Sequence, residues 1–137
     1  MTRSEERVLA FETLYENLFA PDKSAVETYE SAKFERGVPT SKYVTDLLTI
    51  VDANRDLIDS KIDAYSVGWK RNRISRVSLA VLTLAAAEIY FMDDIPLRVS
   101  LNEAVEIAKK YDDEKAYGFV NGVLNAMIHD ESAVGEA

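Results

Sequence analysis

The chain has 137 residues, 47% apolar and 29% charged, with 24 Asp+Glu against 16 Lys+Arg, a formal charge of −8 and no Cys. A chain of this length buries roughly two-thirds of its unfolded surface without metals or crosslinks, so one self-sufficient core fits and a second does not. The lack of Cys excludes disulfides, thiol catalysis and thiolate metal sites and suits a reducing cytoplasm, where we expect the protein, while a single His, His129, is too few for a zinc site.

Helical periodicity runs through almost the whole chain, so we expect an all-α fold of about seven helices. In the first segment Val8, Phe11, Leu14, Tyr15, Leu18 and Phe19 recur at steps of three and four opposite Glu5, Glu6, Glu12 and Glu16, which predicts an amphipathic helix ended by Pro21. Ser24 with Glu27 predicts a capping box for a short second helix whose buried side carries Val26, Tyr29 and Phe34, before Gly37 and Pro39 break the chain. From Ser41 to Tyr65 two apolar stripes predict two helices with a junction near Asp52 to Asn54. After Gly68, the segment Ile74 to Met92 is apolar nearly all round, as a central buried helix is. Pro96 breaks it, Ser100 with Glu103 reads as a second capping box, and Asp112-Asp113 marks a turn before a last helix with Phe119, Val120, Val123, Leu124, Met127 and Ile128 on one face. We expect one domain over residues 1–130 and a frayed acidic tail over 131–137. Apolar runs such as Leu84–Ala87 fall far short of the roughly 20 residues of a membrane span, and no basic segment with a following apolar stretch opens the chain, so neither a membrane nor a signal peptide is expected.

Groups for catalysis are scarce. No phosphate-binding glycine loop or nucleophile elbow is present, and Asp93-Asp94 and Asp112-Asp113 read as solvated turns rather than acid–base pairs. His129, near the end of the last helix, is placed to complement the helix dipole. We therefore expect neither enzyme activity nor a cofactor.

Charge is the most uneven feature. Between Ala64 and Ala87 there is no Asp or Glu, while Lys70, Arg71, Arg73 and Arg76 contribute +4, which leaves −12 on the rest. An acid-free basic segment on an acidic protein is a candidate polyanion site, and Trp69 at its head offers a ring for stacking on a base. The competing reading is that Trp69 covers the core and the cations solvate the start of a greasy helix. Gly118 and Gly122 stand four apart in the last helix beside Asn121 and Asn125, at roughly 1 kcal/mol each against Ala. Either close helix packing or a surface for an approaching backbone offsets that cost.

The stretch IPLRVSLNEAVEIAKKY (Ile95 to Tyr111) followed by FVNGVLNAMI (Phe119 to Ile128) resembles the C-terminal signature of the NusB family of bacterial transcription antitermination factors. Upstream, Trp69 with RISRVSLAVLTLAAAEI (Arg73 to Ile89) is similar to the family's central helix, and RVLAFETLYE (Arg7 to Glu16) to its first. The resemblance runs from about Arg3 to Asp130. It implies two packed three-helix bundles plus an extra helix. It also implies a non-catalytic protein that binds boxA-type RNA with a small-subunit ribosomal protein, NusE, joins the RNA polymerase antitermination complex and suppresses premature termination of ribosomal RNA transcription. The family's RNA surface maps onto Arg3 and Arg7 in the first helix and Lys109, Lys110, Tyr111 and Phe119 near the last two, with Lys70 and Arg73 as possible additions from the basic segment. Residues 1–20 hold only Arg3 and Arg7 against Glu5, Glu6, Glu12 and Glu16, a net −2 where the family typically has a dense basic run. The family often has Asp-Ser where this chain has Lys115 and Ala116. Each missing phosphate contact lowers RNA affinity, so tight RNA binding by this protein alone is less expected, and the basic segment, if it folds beside that surface, or a ribosomal-protein partner would supply the missing charge. The same fold as a protein-interaction module without direct RNA binding is the second reading. A methyltransferase-linked version would need a glycine-rich α/β domain, for which these 137 residues carry no signal.

Overall fold

The computed structural model describes residues 1–133. Thr2 accepts the Glu5 amide and Glu5 accepts the Thr2 amide in return, which starts α1 (Arg3–Asn17). Ser24 and Glu27 make the same reciprocal cap at α2 (Ala25–Arg36), as their spacing predicts, and Gly37 at φ 65° closes it in the left-handed conformation. Helix α3 (Lys42–Ala53) starts from Ser41 and runs into α4 (Arg55–Tyr65) through Asn54, at the expected junction. One 3-10 turn, Arg71–Arg73, precedes α5 (Arg76–Phe91), α6 (Leu97–Tyr111) and α7 (Glu114–Ile128). The described residues thus form seven α-helices and no strand. None of these helices is long and apolar enough to cross a membrane.

Helices α1, α2 and α3 pack on one another, as do α5, α6 and α7, while α4 lies against α5 and α7. Helix α5 touches α1, α3, α4, α6 and α7, and every residue from Ala80 to Tyr90 is buried, so the all-round apolar segment is indeed the axis of the molecule. Side chains such as Leu47, Leu48, Ile62, Leu82, Ile89 and Leu124 are fully buried, each favouring the folded state by roughly 1.5–3 kcal/mol.

Three expectations are corrected. Ser100 and Glu103 do not cap α6: the helix starts at Leu97 after Pro96, and Ser100 lies a turn inside it, buried and bonded to Glu88. Phe34 is not on the buried side of α2, being 92% exposed, whereas Tyr29 is fully buried and donates its hydroxyl to the Pro39 carbonyl at 2.7 Å. Tyr15 and Phe19, in the apolar stripe of α1, are exposed as well.

The start of the expected acidic tail is held down; residues 134–137 of it lie outside the described residues. Asp130 accepts from Lys61 Nζ at 2.7 Å and Tyr90 Oη at 2.8 Å, joining the end of α7 to α4 and α5. The Lys61 bond, then the Ser132 amide, hold its carboxyl well below the usual carboxylate range, against a smaller opposing effect of burial. A depressed carboxylate stabilises the fold above its unfolded value near 4 and less so as pH falls through the range below it. Asp130→Ala should therefore cost about 1–3 kcal/mol near neutral pH, with the gap in melting temperature to the wild type closing below about pH 4. A gap that is the same at pH 3 and pH 7 would assign the loss to packing rather than charge.

Candidate nucleic-acid interface

Asp112 ties three helix ends into one corner. It follows α6, and its Oδ2 accepts from Ser75 Oγ at 2.6 Å and Ser78 Oγ at 3.0 Å, while Ser75 caps α5 through the Ser78 amide. The next residue, Asp113, caps α7 by accepting the Ala116 amide at 2.8 Å. Both aspartates are therefore structural anchors, more specific than the solvated turn that the sequence suggests.

At this corner a cleft of about 190 Å³ opens, with Trp69, Arg73, Lys115 and Phe119 among its lining residues. The Trp69 and Phe119 ring centroids are 5.0 Å apart at 46°, with Trp69 48% exposed and Phe119 partly buried against the core. A base sandwiched between the rings would need centroids about 7 Å apart, two van der Waals contacts, so the available surface is the outer face of Trp69. Lys70, Arg73 and Lys115 are exposed, and their side chains make no ion pair among the described residues.

The neighbouring face carries a larger groove of about 600 Å³, lined by Phe11, Tyr15, Phe19, Val77 and Tyr111 with Glu12 and Glu16 on its rim. Its rings form a chain: Phe11 lies 5.0 Å from Tyr111 and 6.3 Å from Tyr15, and Tyr15 lies 5.3 Å from Phe19. Cations edge it, with Arg76 over Phe19 at 4.8 Å and Lys110 over Tyr111 at 5.4 Å. Lys109 is turned to Tyr117 and pairs with Glu106 at 3.7 Å.

The structure thus brings Lys70, Arg73 and Phe119 together with Trp69, and sets Lys110 and Tyr111 beside them. Of the α1 arginines, Arg7 lines a separate cleft of about 220 Å³ that it shares with Lys110, Tyr111, Ser4 and Glu103. Arg7 is 3% exposed, with Nε 2.7 Å from Glu88 and Nη1 2.9 Å from Glu103, so its guanidinium is committed to two carboxylates, unlike the free surface cation that the sequence suggests. Burial works against its charge, but the bonds and charge of Glu88, with Tyr43 and Glu103, prevail and hold it above its ordinary range. Arg3 is exposed but lies over the Tyr43 ring at 4.6 Å and pairs with Glu6 at 3.3 Å. Sequence reasoning missed Lys115 and the groove residues Phe11, Tyr15 and Phe19, whose four-residue spacing reads the same for core and for exposed stripe.

Gly118 and Gly122 face open space, with nothing within 4 Å of an added Cβ, so close helix packing does not explain them. Gly118→Ala and Gly122→Ala should each raise stability by about 0.5–1 kcal/mol by thermal melting. Loss of stability in either would reinstate an intramolecular packing role.

Comparison with known proteins agrees with this architecture. The model of the NusB family matches residues 4–129. The transcription antitermination protein NusB of Clostridium acetobutylicum is 39% identical over 131 residues, covering 94% of this chain and 96% of its own, and that of Agathobacter rectalis is 41% identical over 127 residues, covering 90% and 97%. The solved NusB of T. maritima superposes with a TM-score of 0.85 at 30% identity over 96% of this chain and 94% of its own. A crystal structure of the antitermination factors NusB and NusE with double-stranded RNA matches at a TM-score of 0.77 and 28% identity, over 93% and 98% of the two chains. With the family model matched over residues 4–129 and the first two relatives 39–41% identical across most of both chains, the chain belongs to the NusB family.

Proposed function

We propose that this protein is a transcription antitermination factor, a non-catalytic cytoplasmic scaffold that binds boxA-type RNA with a small-subunit ribosomal protein of the NusE kind and carries it to the RNA polymerase antitermination complex. One observation supports the RNA surface above others: an exposed indole flanked by cations without ion pairs, on a chain that is otherwise strongly acidic. Stacking on an aromatic face is sequence-tolerant and strong, and unpaired cations add counterion release. The larger groove suits the protein partner better than RNA, because its exposed aromatic rings offer apolar surface to bury. Glu12 and Glu16 in its lining and Arg76 and Lys110 at its edge make a mixed charge pattern rather than a positive face for phosphate.

The second reading, an interaction module without direct RNA contact, draws support from α1, where Arg7 is buried and Arg3 is engaged within the molecule. Titration of labelled boxA-like RNA, with and without the ribosomal protein, at two salt concentrations separates the two. Preference for boxA-like over scrambled RNA in either mixture supports the scaffold. Binding of the ribosomal protein with no preference between RNAs would instead leave an interaction module.

A further inference from the structure

Lys115 occupies an unfavourable place for its charge. Asp113 caps α7, so Lys115 is the second residue of the helix, where the positive end of the helix dipole disfavours a cation. An intramolecular carboxylate would offset this, yet the Lys115 side chain makes no ion pair among the described residues. The acids beside it in sequence do not pair with it: Asp112 accepts from Ser75 and Ser78, Asp113 accepts the Ala116 amide, and Glu114 makes no ion pair with Lys115. Lys115 lines the cleft with Trp69, Arg73 and Phe119, and Asp112 and Asp113 line it too, held by Ser75, Ser78 and the Ala116 amide. A cation set against a helix dipole, without an internal partner and beside an exposed indole, is arranged for an anion from outside.

We infer that Lys115 binds an RNA phosphate next to the nucleotide stacked on Trp69, and that the electrostatic centre of the RNA site in this protein lies at the α5–α6–α7 corner rather than on α1. This rests on the proposed RNA-binding function and adds the residue that compensates α1, where the charge is a net −2 over residues 1–20 and Arg7 is enclosed. Stacking on Trp69 fixes the base in the cleft that Lys115 and Arg73 both line, so its phosphate comes within reach of the long lysine stem. A phosphate contact of this kind carries no sequence information, so it contributes affinity and salt dependence alike for every RNA.

The test uses the full chain with the ribosomal-protein partner and boxA-like RNA, comparing wild type, Lys115→Ala, Lys115→Glu and Arg3→Ala over about 50 to 200 mM salt. Lys115→Ala should weaken binding on the order of three- to tenfold at the lower salt and reduce the slope of log K against log salt by up to about one. Lys115→Glu should weaken it further, while both variants melt at or above the wild-type temperature because the dipole is better matched. Arg3→Ala should leave the slope unchanged. An unaltered slope in Lys115→Ala, or a slope that falls with Arg3→Ala instead, overturns the inference and leaves the RNA-binding function standing. Failure of the wild type to prefer boxA-like RNA even with its partner overturns both.

Discussion

The Glu88→Ala variant should lose about 3–5 kcal/mol of folding stability and roughly 10–20 °C in melting temperature. Glu88 is 1% exposed in the last turn of α5 and joins both bundles. Its carboxylate accepts from Arg7 Nε at 2.7 Å and Arg7 Nη2 at 3.3 Å on α1, from the Tyr43 hydroxyl on α3, and from Ser100 Oγ at 2.6 Å on α6. Truncation leaves a guanidinium enclosed with only Glu103 for charge, and strands two hydroxyls without an acceptor. The penalty is that of orphaned partners rather than the net contribution of the pair, since apolar replacement of both members of a buried pair is often neutral. An Arg7→Met/Glu88→Met double variant should therefore melt above either single one. Melting of Glu88→Ala within 2–3 °C of wild type, less than about 1 kcal/mol, would mean that the network adds nothing to the joint between bundles.

The same network has an alkaline limb. Burial first, then the charge of Glu88, push the Tyr43 hydroxyl well above the usual tyrosine range. A group whose value is raised on folding stabilises fully below its unfolded value near 10 and progressively less above it. Tyr43→Phe should flatten the loss of stability above about pH 10, although Tyr90, raised by burial and then by its bond to Asp130, continues to contribute.

The helices and their order are legible in the sequence because apolar spacing, capping residues and prolines agree with one another. The exceptions share one physical origin. Ser100 and Glu103 carry the letters of a capping box, but Pro96 starts the helix a turn earlier, and the same two side chains serve Glu88 and Arg7 across 12 and 96 residues of chain. Arg7 reads as a surface cation because nothing local marks its partners, which lie 81 and 96 residues away. Phe11, Tyr15 and Phe19 form a stripe whichever way it faces; Phe11 is buried, and only the outer members Tyr15 and Phe19 are left exposed. The basic segment after Ala64 was visible as composition, but its place beside Phe119 depends on Asp112 bonding Ser75 and Ser78, a long-range link with no sequence signal.

Trp69 offers the most direct reading of the site, because it is the only tryptophan in the chain and its emission reports on the cleft alone. Trp69→Ala should cost roughly 1–3 kcal/mol of RNA affinity, a factor of about 5 to 150, with little change in melting temperature, since the ring is half exposed. Trp69→Phe, which keeps a face for stacking, should retain most of the binding. Titrating the wild type with boxA-like RNA in the presence of the ribosomal protein should quench the emission as a base settles on the outer face of the indole. Phe119→Ala should behave differently, because Phe119 supports Trp69 from below and packs against the core. It should lose stability as well, about half of the 3–5 kcal/mol of a fully buried Phe, and lose RNA affinity through the displaced indole. If Trp69→Ala binds RNA within twofold of wild type and saturating RNA leaves the wild-type emission unchanged, the indole is a cover for the core, and the cations around it would have to act without a stacked base.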